Sequence, residues 1–181
     1  MNLASKIAMV ITAAVALAAC DTSVTPTYQT SPQNTIILQG VAAGGKRVSV
    51  ASFTAAPGVD VNPSCRLMGP IDVGGGQTPE RVLHDALTAE LLAAGIYSPK
   101  GTPLDITLTD MQVSSMNGHW ILAGTVKSPK LPQGYSVQAK YDFKTSFSAV
   151  SACQNTALAF NKATSAFIHA IITHPSFRAA I

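Results

Sequence analysis

The sequence predicts an α+β fold: a two-layer β-α-β-β-β-α sandwich whose mostly antiparallel sheet carries two helices on one face. Three observations carry this. Apolar and polar residues alternate in three runs between Leu104 and Phe147, the two-residue period of strands with one buried and one wet face. Two longer segments, one before those runs and one after, repeat their apolar residues at three and four, as an amphipathic helix does. Finally, 47% apolar and only 12% charged residues in a chain of 181 suit one well-filled core.

The first strand is expected over Arg47 to Phe53, with Val48 and Val50 on one face. A loop rich in Pro, Gly and Asn follows from Thr54 to Gln77, longer than most connections and therefore functional or loosely ordered. The first helix opens at Thr78 as N-cap, with Pro79 in its first turn and Glu80 at the positive end of the dipole, and it closes at Gly95. Leu83, Ala86, Leu87, Leu91 and Ala94 form its apolar stripe. Leu104, Ile106 and Leu108 begin the second strand, which runs through Val113 to Asn117-Gly118, a type I′ hairpin signal. The return strand covers His119 to Lys127, with Trp120, Leu122 and Val126 on one face, so Trp120 reads as core. After a Pro-containing turn, Tyr135, Val137, Ala139, Tyr141, Phe143 and Phe147 alternate with polar residues to form the fourth strand. In the second helix Cys153, Ala157, Phe160, Thr164, Phe167 and Ile171 share a stripe that Pro175 ends. Its polar face argues against a membrane span.

The N-terminus carries a different signal. Lys6 precedes an apolar stretch from Ile7 to Ala16, an h-region too short to span a bilayer. Leu17-Ala18-Ala19-Cys20 then resembles the lipobox of bacterial lipoprotein signal peptides. The resemblance implies that residues 1–19 are a signal peptide, removed on export, and that Cys20 becomes a lipidated N-terminus bearing diacylglycerol and palmitate. Asp21 resembles the signal that retains lipoproteins in the inner membrane of enteric bacteria. Residues 20–35, rich in Thr, Ser, Pro, Gln and Asn, are expected to be a flexible tether, and residues 36–181 a single periplasmic domain. Ile36 to Leu38 is an apolar lead-in to it.

With Cys20 lipidated, Cys65 and Cys153 remain as a pair in an oxidising compartment, either joined as a disulfide or buried as free thiols. Topology bears on the choice. If the first crossover is right-handed, strands one, two and four run up and strand three runs down. Both helices then start at the top, which brings Cys65 and Cys153 to one end of the sheet. The Thr54 to Gln77 loop and the Asn117-Gly118 tip share that end. A tether entering strand one from below would turn it away from the anchoring bilayer, and a lead-in strand would reverse that.

Catalytic motifs fail on inspection. Gly69 to Gly74 has Walker A spacing, but Gly75 and Gly76 stand where Lys and Ser or Thr must be. Gly134-Tyr135-Ser136-Val137-Gln138 lacks the second glycine of a nucleophile elbow. His84, His119, His169 and His174 have no metal-binding spacing and read as surface or capping residues. A net charge of +3 with no basic run beyond Lys46-Arg47 gives nucleic-acid binding no support. No catalytic residue, cofactor or metal is expected.

The layout from about Lys46 to Ile181 resembles the small α+β domains of periplasmic lipoproteins such as ABC-transporter auxiliary subunits and the lipopolysaccharide-assembly lipoprotein. Cys65-Arg66, Ala86-Leu87-Thr88-Ala89-Glu90-Leu91 with Gly95-Ile96-Tyr97, Trp120, Ala152-Cys153 and His174-Pro175-Ser176-Phe177 are similar to stretches of an uncharacterised lipoprotein group within that set. The resemblance implies a noncatalytic cell-envelope lipoprotein that docks or scaffolds a membrane or periplasmic partner, transporters among them. The alternative is a periplasmic lipid- or small-molecule-binding lipoprotein with a pocket between the second helix and the sheet.

Overall fold

The computed structural model describes residues 25–66 and 68–181. The expected signal peptide, Cys20 and Asp21 lie outside the described residues. The fold is α+β, with a mixed four-stranded sheet and helices packed on it. Strands β1 (Val48–Ala55), β4 (Thr102–Ser114), β5 (His119–Ser128) and β6 (Leu131–Asp142) form the sheet in that order, and a two-residue ladder of β2 (Ser64–Cys65) and β3 (Gly69–Pro70) lies in the long loop. The helices are α1 (Pro32–Ala42), α2 (Pro79–Ala93), α3 (Ala149–Thr173) and the short α4 (Phe177–Ala180).

β1 and β4 pair in parallel through the α2 crossover, while β4–β5 and β5–β6 are antiparallel. The expected strand directions therefore hold, and both α2 and α3 begin where β1 and β4 end. That end is called upper below. The predicted stripes are the core: Leu83, Leu87 and Leu91 of α2, Phe160, Phe167 and Ile171 of α3, and Trp120, Leu122 and Val126 of β5 are all buried. Trp120 meets Phe160 edge-on at 5.1 Å and donates its indole N–H to the Thr156 carbonyl at 2.9 Å. Such an edge-to-face pair adds to the burial of both rings. Gly124 lets α3 approach β5, because a Cβ there would lie 3.0 Å from the Phe167 ring and 2.9 Å from the Thr107 carbonyl oxygen.

Four expectations need correction. Ile36 to Leu38 is not a lead-in to the first strand but part of a further helix, α1, which buries Leu38 and Val41 against α2 and α3, the two helices expected on the sheet. Residues 25–35, expected within the tether, are held by the domain: Thr25 bonds to the carbonyls of Asp72 and Ala157, and Tyr28 and Ser31 donate to Glu90. The β4–β5 connection is a four-residue loop, 115–118. Only Gly118 in it has positive φ, at 67°, whereas a type I′ turn needs positive φ at both central residues. Lastly, β6 stops at Asp142, which pairs with the first residue of β5, His119. The alternation continues to Phe147, but no neighbouring strand remains to pair with it, and Phe147 is fully exposed.

Candidate functional site

The upper end is where the chain's unusual features converge. Cys65 and Cys153 form a disulfide with their Cα atoms 5.7 Å apart, joining the β2–β3 loop to the first turns of α3. The geometry of the sheet ends and the leftover pair both pointed to this bond, and free thiols are ruled out. Arg66, next in sequence, has φ of 40°, and among the described residues it alone combines a side chain with positive φ. That region is uncommon for a non-glycine residue and needs outside support.

The guanidinium supplies it. Arg66 donates to the carbonyls of Ser115 (3.0 Å), Ser146 (2.9 Å) and Phe147 (3.3 Å) and to Thr145 Oγ1 (3.2 Å). Thr145 Oγ1 in turn donates to the Ser115 carbonyl. Phe143 N–H bonds to the Gly118 carbonyl at 2.7 Å, and a Cβ on Gly118 would collide with the Phe143 carbonyl at 2.2 Å. Three connections far apart in sequence are thus stitched together: the β2–β3 loop, the β4–β5 tip and the β6–α3 segment. In the sequence Cys65-Arg66 stands out only as part of a resemblance, and the role of Arg66 in binding carbonyls is not legible there, since no pattern distinguishes a cation that binds carbonyls from one that faces water.

Outward from this stitching, the same end exposes four large apolar side chains: Phe147, Met116 (70% exposed), Met68 (52%) and Val150 (43%). The rest of the long loop is held as well. Asp72 Oδ1 accepts the N–H groups of Gly74 (3.0 Å) and Gly76 (3.1 Å). These bonds hold its carboxyl below the usual carboxylate range. The Gly74 to Gly76 run is therefore an Asp-anchored turn. A groove of about 580 Å³ opens between Pro57 to Asp60 and the upper part of β4, with Pro63 and Ser64 on its rim.

A second polar cluster lies lower, between α1, α2 and α3. Glu90 of α2 is fully buried, and its Oε1 accepts from Tyr28 Oη (2.6 Å), Ser31 N–H (2.7 Å) and Asn34 Nδ2 (3.4 Å). Asn34 also donates to the Ser165 carbonyl (3.1 Å) and meets His169 Nδ1 at 3.0 Å. A carboxylate at the start of α1 satisfies an orphan N–H and complements the helix dipole. Burial, then the Glu90 carboxylate, pushes the Tyr28 hydroxyl well above the ordinary phenol range, and burial does the same to Tyr135. A raised folded-state value favours the neutral phenol, so that contribution is complete below about pH 10 and is lost as pH rises past it. The urea midpoint should thus stay level to about pH 9 and fall above pH 10, less steeply in Tyr28→Phe. Identical alkaline slopes in wild type, Tyr28→Phe and Tyr135→Phe would refute this.

The histidines and Ser136, weighed above for metal binding and nucleophilic chemistry, stay apart. His84 pairs with Asp85, His169 with Asn34, and His174 stacks on Tyr135 at 4.4 Å while accepting the Ser176 N–H. His119 begins β5 and Ser136 is exposed on β6. Among the described residues no group of three His, Cys, Asp or Glu could hold a metal ion, and no helix is long and apolar enough to cross a membrane. Fold and site together define a two-layer α+β domain with a disulfide-locked loop end. No family model, curated protein or solved structure matches the chain.

Proposed function

We propose that this protein is a noncatalytic, lipid-anchored cell-envelope lipoprotein that docks on a membrane or periplasmic partner through its upper end. One observation carries the reading: a loop cluster fixed by the Cys65–Cys153 disulfide and by Arg66 turns Phe147, Met116, Met68 and Val150 outward. Apolar groups grouped on a rigid scaffold mark an interaction surface. The disulfide is compatible with the periplasm, and the Lys6 to Cys20 segment supplies the export and lipidation signal. The alternative, a carrier with a pocket between α3 and the sheet, has less support. Trp120, Phe160, Phe167 and Ile171 fill that space.

Two experiments test the two halves. A palmitate analogue fed to cells should label the wild type and leave Cys20→Ser unlabelled; equal labelling of both overturns the lipoprotein assignment. A photoreactive amino acid at Met116 should give adducts in the membrane fraction, and the same group at Leu92 should give none. Adducts confined to Gln138 and Lys140 would move the docking surface to the open face of the sheet.

A further inference from the structure

We infer that the upper end seats directly on the phospholipid surface that holds the anchor, with Phe147, Met116, Met68 and Val150 in the interfacial layer. The inference rests on the lipoprotein reading above, and names the partner of that same surface. Its basis is where the described chain begins and how far the preceding residues reach.

Thr25 is fixed beside the upper half of α3: its N–H and Oγ1 bond to the Asp72 carbonyl and its Oγ1 to that of Ala157. From there the chain runs downward through Tyr28 and Ser31 to α1, and β1 rises from the lower end. Entry is therefore from the upper side, and the expectation that this end faces away from the bilayer is reversed. Cys20 precedes Thr25 by five residues, a reach of at most about 17 Å. At 1.5 Å per residue, the first residue of α3, Ala149, lies about 12 Å above Ala157 and the last, Thr173, about 24 Å below it. An acyl chain on Cys20 can enter the membrane with the upper end at its surface. With the lower end there, Cys20 itself falls about 7 Å short of the surface, and its acyl chains would have to cross that gap through water.

The apolar side chains choose among the orientations left. Of the seven large apolar residues exposed among the described ones, Met68, Met116, Phe147 and Val150 gather at the upper end, while the other three are spread over the helices: Ile36 (67%) on α1, Leu92 (58%) at the foot of α2 and Leu158 (53%) on the flank of α3. Phe and Met on a rigid end can occupy the boundary between headgroups and acyl chains, and a short anchored chain raises their effective concentration there. The bond network around Arg66 keeps the three loops from having to order on contact.

The test uses the acylated full chain in vesicles of phosphatidylethanolamine and phosphatidylglycerol, with or without brominated acyl chains. A tryptophan is added singly as Phe147→Trp, Leu92→Trp or Leu158→Trp, and the buried Trp120 supplies the same background in each. Bromolipid should quench the Phe147→Trp emission at least twofold, with a blue shift, and leave Leu92→Trp unchanged. Strongest quenching at Leu158→Trp means side-on seating and overturns the proposal, as does an unquenched Phe147→Trp in protein whose acylation mass spectrometry verifies. A Cys20 that carries no acyl group overturns the lipoprotein reading, and this one with it.

Discussion

Cys153→Ala should lower the free energy of unfolding by about 4 kcal/mol, the largest loss expected from any one residue of the upper end. The bond closes a loop spanning 88 residues, from Cys65 to Cys153. In the chain-entropy account the unfolded state gains the freedom of a long open loop, and the gain grows with the logarithm of its length. The folded state loses little packing by comparison. Cys65 and Cys153 sit in a core whose larger members, Trp120 and Phe160, do not depend on the bond. Far-ultraviolet circular dichroism should therefore stay native while the urea midpoint falls. Loosening should concentrate at Arg66 and the residues it binds, because the β2–β3 loop then keeps only hydrogen bonds to the β4–β5 tip and the β6–α3 segment. Hydrogen exchange at Met68 and at 143–148 reads this directly. A loss under about 1 kcal/mol would mean that the reduced chain is already constrained in its unfolded state.

What could be read in advance follows from where the chain obeys a simple period. β4 to β6, α2 and α3 each present one apolar face to one core, so Leu104, Trp120, Leu83 and Phe167 announce their burial through spacing alone. The parallel pairing of β1 and β4 follows from the handedness of a single crossover, and with it the meeting of Cys65 and Cys153. α1 escaped because Pro32-Gln33-Asn34-Thr35-Ile36-Ile37 mixes polar and β-branched residues without a helical stripe. Its helicity is set by tertiary contact, with Leu38 and Val41 buried between neighbours and Glu90 at its start. Phe147 misled for the converse reason: its alternation is that of a strand, but pairing ends with β5. Counting strand directions brought the long loop and the β4–β5 tip to one end of the sheet, as observed, yet it put the chain's entry at the opposite end from where Thr25 is bonded, beside the upper half of α3. That depended on α1, which turns the chain through half the molecule before β1 begins.

Glu90→Ala should cost about 4 kcal/mol and release the N-terminal segment from the domain. The carboxylate is fully buried and accepts at 2.6 Å from Tyr28 and at 2.7 Å from Ser31. Removing it leaves a hydroxyl and a backbone N–H without an acceptor, each costing about 1–3 kcal/mol, and leaves a small cavity beside them. Solvent cannot easily reach Asn34, which is buried beneath Ser165 and His169. Glu90→Gln keeps one acceptor oxygen but gives up the charge, and should cost about half as much. Tyr28→Phe removes one donor and should cost about 1 kcal/mol. The cycle combining Tyr28→Phe with Glu90→Gln should show coupling of about 1 kcal/mol between the two side chains. Limited proteolysis gives the local reading: in Glu90→Ala, cleavage between Thr25 and Ser31 should outpace cleavage anywhere in α2 or α3. If Glu90→Ala unfolds the whole domain with no earlier cut in that stretch, the segment is part of the cooperative core. The orientation argued for the upper end would then gain a second support, because a segment that opens only with the whole domain cannot let out more chain to lift that end off the bilayer.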